Sequence, residues 1–206
     1  MPVTATRGAP WLDVGVAVRA LPGQRASGDR EVVRVLDTGA LIAAVDGLGH
    51  GAEAAEAARR GCQTLERFAG EPPTVLIRRC HAELVGTRGA AMSLAWIDGT
   101  RRLLSWLSVG NVEGVLWQRD GEQMRRAGLI TRGGVVGSQL PPLREDQLPV
   151  RSGDVIILAT DGIRPEFSET PPRESRPQAL ANYLLSTYAR DTDDALVLVA
   201  RVTTAP

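Results

Sequence analysis

Four aspartates are followed directly by glycine, and two of them, Asp46 and Asp161, differ from the others in their surroundings. Asp-Gly most often forms a turn, and Asp98 and Asp120 suit that interpretation because strand-like segments flank them as in a hairpin. Asp46 and Asp161 instead end the apolar runs LIAAV and VIILAT and lead away from any hairpin. A carboxylate at the end of a buried strand is costly to desolvate unless a positive charge compensates it. The pattern therefore indicates a cation shared by Asp46 and Asp161.

Two more acidic positions lie beside predicted strands. Asp29 precedes the run REVVRV, and the pair Asp193-Asp194 precedes the run ALVLVARV. Taken singly, Asp29 and Asp193 could equally be cap or turn residues. Gly47 lacks a Cβ, which would let its backbone carbonyl reach an ion bound by Asp46. Oxygen ligands without a histidine or cysteine cluster favour Mg²⁺ or Mn²⁺ over Zn²⁺.

A pair of such cations defines a reaction. Two ions roughly 3.5–4 Å apart can bind phosphate oxygens and lower the pKa of a bridging water until it attacks phosphorus. This hydrolysis needs no covalent enzyme intermediate. We therefore expect two Mn²⁺ or Mg²⁺ ions held by such strand-edge aspartates and a phosphatase reaction that runs through these metals.

The elements that must position these aspartates fall into groups of strands and groups of helices. Apolar runs bounded by turn residues predict strands, and they occupy 11–20, 31–45 with a turn at 37–39, 89–118 with a turn at 98–99, 154–160 and 195–202. Apolar residues at helical spacing occupy 51–69, 73–86 and 177–190. Because the elements are grouped and do not alternate, we expect an α+β fold of antiparallel sheets covered by helices.

Composition limits the classes of protein to which the chain can belong. Its 206 residues fit one domain, 1–206, because domains usually run from about 50 to 250 residues. The 24 basic and 24 acidic residues cancel, so no net field attracts nucleic acid or an anionic membrane. The sequence lacks both a membrane-length apolar stretch and a secretory signal, so we expect a cytoplasmic protein. Cys62 and Cys80 fall on apolar helix faces and are predicted to be core residues, not a disulfide.

Four segments resemble the PP2C-type phosphatases: VDGLGHG (45–51), SVGN (108–111), SGDVIILATDGI (152–163) and DTDDALVLVAR (191–201). They span nearly the whole chain in the family order, and the chain most resembles the bacterial SpoIIE branch. The resemblance implies an αββα sandwich, in which helix pairs flank two antiparallel sheets and a binuclear Mn²⁺ or Mg²⁺ centre lies between the sheets. The short length and the DGLGHG motif resemble the stressosome phosphatases of that branch, which implies phosphorylated stressosome scaffold proteins as partners.

The resemblance also implies a role for each aspartate. Asp46 would bridge both metals, and Gly47 would offer its carbonyl oxygen to one of them. Asp161 and Asp193 would hold the other metal. Asp29 would act mainly through metal-bound water.

Other positions match the family pattern less closely. Asp194 stands where relatives have Asn or Asp, which implies a supporting role. The eukaryotic branch has a phosphate-binding arginine where this chain has Gln24 beside Arg25, and it has a histidine directly after the bridging Asp-Gly, whereas here His50 comes two residues later. His50 either protonates the leaving serine oxygen or is a loop residue at a helix start. Asn111 either donates a hydrogen bond at the centre or forms a turn.

Three functions compete at this point. We expect hydrolysis of phosphoserine or phosphothreonine on a regulatory protein by a monomer, because the set of aspartates is complete. A catalytically silent domain that only binds a partner would have no need to keep these carboxylates together. A small-molecule phosphohydrolase would differ in the loops 128–150 and 164–177, whose shape the sequence does not give.

Overall fold

The strands build two antiparallel sheets. The computed structural model describes residues 11–24, 26–172 and 176–203. The strands of this part of the chain are β1 (Leu12–Arg19), β2 (Asp29–Leu36), β3 (Gly39–Gly47), β4 (Ala90–Asp98), β5 (Leu103–Val109), β6 (Glu113–Asp120), β7 (Gln123–Leu129), β8 (Asp146–Pro149), β9 (Val155–Ala159) and β10 (Ala195–Val202). The first sheet has the order β1-β10-β9-β6-β7, and the second has the order β2-β3-β4-β5-β8.

Helices cover the outer face of each sheet. α1 (Ala52–Arg67) and α2 (Pro73–Leu84) pack on the second sheet, whereas α3 (Pro177–Tyr188) and a short 3₁₀ helix (Pro165–Ser168) pack on the first. One hydrophobic cluster fills the space between the sheets, and two others lie between a sheet and its helices. The expected α+β sandwich with layers in the order αββα is therefore confirmed.

The structure departs from the expectation in one detail, because within the described ranges only the second sheet carries a pair of α-helices. The chain between β9 and α3 contains Pro165, Pro171 and Pro172. Proline lacks an N–H and clashes with the preceding turn inside a helix, so this segment forms one 3₁₀ turn and a loop in place of a second long helix.

Strand β3 shows how the sequence pattern follows from this layering. Its even positions, such as Ile42 and Ala44, face the other sheet, and its odd positions, such as Leu41 and Val45, face α1 and α2. Both faces are buried, which explains the continuous apolar run that precedes Asp46. Side chains alternate along a strand, so Asp46 continues the even row toward the space between the sheets.

Several local predictions are confirmed. Asp98-Gly99 and Asp120-Gly121 are the turns of the β4–β5 and β6–β7 hairpins. Cys62 and Cys80 are buried and unbonded to each other. No helix in the described ranges is long and apolar enough to cross a membrane.

Helix α3 lies against β1, the outermost strand of the first sheet. The Gln178 side chain accepts a hydrogen bond from the Val16 N–H (3.1 Å) and donates one to the Val16 carbonyl (2.7 Å). Gly15 allows this approach, because a Cβ at that position would lie 2.2 Å from the backbone nitrogen of Gln178. The helix is thus fastened to the backbone of the strand.

Candidate active site

Polar side chains from both sheets meet at one end of the sandwich, where the apolar rows between the sheets stop. On β3 the inward row ends at Asp46, and Asp29 at the start of β2 lies directly opposite it in the antiparallel register. On the first sheet, the inward row of β9 ends at Thr160, and the inward row of β10 begins with Asp194. The period of two therefore brings four polar residues to the same inner space.

Asp29 is buried, with 4% of its surface exposed. Its backbone N–H donates to the Ser27 hydroxyl (3.0 Å), and its Oδ2 accepts a hydrogen bond from the Thr160 hydroxyl (2.7 Å). Asp46 beside it is half-buried. These contacts fix the first pair of carboxylates on the second sheet.

Asp161 follows β9 at the rim of this space and is exposed. The amide nitrogen of Asn111, which follows β5, donates a 2.6 Å hydrogen bond to Asp161 Oδ2. Of the two roles considered for Asn111, the structure supports the hydrogen bond at the candidate centre.

Asp193 and Asp194 precede β10 and have different surroundings. Asp194 is buried, and its two carboxylate oxygens each accept a 2.7 Å hydrogen bond, one from the Leu21 N–H and the other from the Gly28 N–H. Asp194 therefore ties the loop between β1 and β2 to the start of β10. Asp193 is half-exposed, and its Oδ1 accepts a 2.9 Å hydrogen bond from the Asp194 N–H.

The glycines that follow Asp46 and Asp161 are required by close backbone packing. A Cβ on Gly47 would lie 2.0 Å from the carbonyl oxygen of Ala54 in α1, and a Cβ on Gly162 would lie 1.8 Å from the carbonyl oxygen of Asp194. Both distances are far shorter than any real contact. Glycine after each aspartate therefore lets another backbone segment pack against the strand end, α1 beside Asp46 and the residues before β10 beside Asp161.

The carboxylates raise each other's pKa. Burial, and then the charges of neighbouring aspartates, raise the pKa of Asp46 to about 9. Burial also raises the pKa of Asp29 to about 7, against the lowering effect of the hydrogen bond from Thr160. The pKa of Asp161 rises less, through desolvation and the charge of Asp193, because this side chain is exposed and Arg190 acts in the opposite direction.

These shifts predict how the stability of the metal-free protein depends on pH. Asp29 and Asp46 keep protons in the folded state at pH values where the unfolded chain has lost them, so raising the pH favours unfolding. We expect the melting temperature in EDTA to fall as the pH rises from about 5 to about 9. Asp46→Asn, which cannot ionise, should make this dependence shallower. An equally steep decline in the variant would contradict the assignment.

Whether the site can hold a cation depends on the spacing and the chemistry of its donor atoms. In the ranges that the structure describes, no three histidine, cysteine, aspartate or glutamate side chains are gathered tightly enough to form a complete metal-binding group. The donor chemistry nevertheless fits a hard cation, because the site presents carboxylate oxygens whose ionised form is disfavoured by burial and then by neighbouring aspartates, so that the pKa of Asp29 and of Asp46 is raised. The residues present fit Mg²⁺ or Mn²⁺.

The remaining predicted residues lie around the same end. His50 is exposed in the glycine-containing loop before α1, and its role as a general acid stays a prediction. Gln24 is exposed. It lies beside this loop, since its Oε1 is 3.6 Å from the position that a Cβ on Gly51 would occupy. Arg25 lies outside the described residues.

Sequence reasoning missed Thr160. It treated this residue as the last member of the apolar run before Asp161, whereas its hydroxyl is buried and bonded to Asp29. A signal was present, since a polar residue at an inward position of a strand needs a hydrogen-bond partner.

The model of the family described as Stage II sporulation protein E (SpoIIE) matches residues 37–203. The chain is 25% identical over 178 residues to the phosphoserine phosphatase RsbX of Bacillus subtilis (strain 168), covering 85% of this chain and 88% of that protein. It also resembles a chain in a structure of the bacterial stressosome, which is described as a modular system adapted to control secondary messenger signalling. The two chains are 29% identical, and they superpose with a TM-score of 0.85 over 92% of this chain and 99% of that chain.

A crystal structure of RsbX in complex with magnesium has the same fold, with a TM-score of 0.85 and 21% identity over 96% of this chain and 98% of that chain. The family match covers most of the chain, including the segments that carry Asp46, Asp161 and Asp193. The chain belongs to the SpoIIE family and is a PP2C-type, metal-dependent protein serine/threonine phosphatase.

Proposed function

We propose that this phosphatase acts on phosphoserine or phosphothreonine of regulatory proteins of the stressosome type. The observation that carries the proposal is the meeting of carboxylates from the ends of several strands at one end of the sandwich. The proposal includes a single catalytic domain, 1–206, that works as a monomer in the cytoplasm.

The residues proposed to hold metal are those with oxygen donors at this end. Asp46, the carbonyl of Gly47, Asp161 and Asp193 would hold two Mn²⁺ or Mg²⁺ ions, with Asp29 acting through water. Such ions, when bound, supply activation of water and neutralisation of phosphate charge. A cation would offset the burial and the mutual repulsion that raise the pKa of Asp29 and of Asp46, which supports this assignment.

Other side chains of the chain would orient this set. Asn111 donates a hydrogen bond to Oδ2 of Asp161 and would thereby fix the orientation of this carboxylate. Asp194 fixes the loop that leads into Asp29 through its two backbone hydrogen bonds. His50, exposed at the rim, would hold the proton that the leaving serine or threonine oxygen needs.

The substrate class is supported by what the relatives are. RsbX is named a phosphoserine phosphatase, and one similar chain belongs to a stressosome structure. A phosphoserine in a folded scaffold would reach the site only at its open end, where Asp161 and His50 are exposed. This geometry favours a phosphate carried on a protruding segment.

A phosphate-release assay tests the proposal. We expect release from a phosphorylated stressosome protein with Mn²⁺ and none with EDTA, and slower release from a short phosphoserine peptide. A preference for a small phosphomonoester over both would favour a small-molecule phosphohydrolase. If Mn²⁺ binds but no substrate is hydrolysed, the domain only binds partners and the proposal fails.

A further inference from the structure

Thr160 lies where the inward row of β9 reaches the candidate site, and only 1% of its surface is exposed. Its hydroxyl makes two hydrogen bonds, one with the Leu196 N–H of β10 (2.9 Å) and one with Asp29 Oδ2 (2.7 Å). The backbone N–H can only donate, so the hydroxyl oxygen accepts from Leu196, and when Asp29 is ionised the single hydroxyl proton points to it. The direction of both bonds is therefore fixed.

This arrangement joins the two sheets at the site. Thr160 and Leu196 belong to the first sheet, and Asp29 begins the second. The hydroxyl engages Oδ2 of Asp29, so Oδ1 is the oxygen left for the site. Because Ser27 also holds the Asp29 N–H, both the backbone and the side chain of Asp29 are restrained.

A neutral donor suits this position. Burial and then the charges of neighbouring aspartates raise the pKa of Asp29, whereas the hydrogen bond from Thr160 favours the ionised carboxylate. An arginine or lysine in the same place would compete with a cation for the carboxylates. A hydroxyl orients the carboxylate and adds no charge.

We propose that Thr160 is a positioning residue of this phosphatase, whose hydroxyl holds Asp29 across the gap between the sheets in the orientation that the metal site needs. The inference rests on the proposed function. In a purely structural role, by contrast, the Thr160 hydroxyl would only accept the hydrogen bond from the Leu196 N–H.

Two variants of the full chain separate these roles. Thr160→Val keeps the branched shape but has no hydroxyl, whereas Thr160→Ser keeps the hydroxyl. We expect Thr160→Val to weaken Mn²⁺ binding, measured by calorimetry, and to lower kcat by about 10–100-fold, which is typical for residues that orient metal ligands. Thr160→Ser should restore most of both. KM for the phosphoprotein should change little, because Thr160 is buried beneath the site.

Two outcomes would contradict the positioning role of Thr160. If Thr160→Val lowers the urea midpoint but leaves Mn²⁺ affinity and kcat unchanged, the role is purely structural and the inference is wrong. If Thr160→Val does not fold, Asp29→Asn tests the same contact from its other side. Thr160→Ser should then match the wild type in Mn²⁺ affinity while Asp29→Asn binds more weakly, and equal affinity in all three would overturn the inference.

The wild-type protein separates this inference from the proposed function. Wild type that binds no Mn²⁺ would contradict the proposed function itself. Wild type that binds Mn²⁺ and hydrolyses the substrate, together with an unaffected Thr160→Val, would contradict only the role of Thr160.

Discussion

Replacement of Asp161 by alanine is expected to lower Mn²⁺-dependent phosphate release by about 10³-fold or more, because metal ions supply several kcal/mol of transition-state stabilisation. Asp46→Asn should have an effect of the same size. Both carboxylates end strands at the site, and the pKa of Asp46 is raised to about 9 by burial and neighbouring charges. Initial rates at saturating Mn²⁺ with a phosphoserine substrate measure the loss.

The chain offers a matched control for this experiment. Asp120 also precedes a glycine, but it lies in the β6–β7 hairpin, where its carboxylate pairs with Arg125 at 2.8 Å on the surface. Asp120→Asn should therefore leave phosphate release unchanged. Full activity in Asp161→Ala or Asp46→Asn, measured beside this control, would contradict the proposed roles of both aspartates.

Replacement of Gly162 by alanine is expected to reduce both stability and activity. The new Cβ would lie 1.8 Å from the carbonyl oxygen of Asp194, and a backbone atom cannot move aside as a flexible side chain can. The start of β10 would have to shift, and with it Asp193. We expect a loss of at least about 2 kcal/mol in the free energy of unfolding, at the upper end for overpacked sites, together with a large loss of phosphate release.

Urea unfolding of the metal-free protein measures the first effect, and the phosphate assay measures the second. Gly128 in β7 is the control, because a Cβ there would meet no atom within 4 Å. Gly128→Ala should be neutral or slightly stabilising, since alanine restricts the unfolded chain. A Gly162→Ala variant as stable as Gly128→Ala would contradict this close backbone packing.

The features that could be predicted from the sequence are those that depend on residues close together in the chain. The hairpin turns at Asp98 and Asp120 and the strand-end positions of Asp46 and Asp161 follow from the apolar runs on either side of each dipeptide. Such patterns depend on neighbours in the chain. The PP2C-like sandwich was implied by the resemblance of whole motifs.

The remaining features depend on contacts between distant parts of the chain. The position of β10 between β1 and β9 brings Asp194 to the loop before Asp29, and no local pattern encodes that neighbour. The partners of Thr160 lie 131 and 36 residues away along the chain. The resemblance implied a helix pair on each sheet, whereas the described part of the first sheet carries one α-helix and a 3₁₀ turn. Pro165, Pro171 and Pro172 interrupt the segment before α3.

The hydrogen bonds between Gln178 and Val16 have a consequence for self-association. An outermost strand can add a strand from another molecule through its unpaired N–H and C=O groups, which leads to dimers or aggregates. At the middle of β1 one glutamine side chain occupies both groups of Val16. The first sheet is thereby closed to further growth at that point, so α3 acts as protection against aggregation as well as a cover for the core.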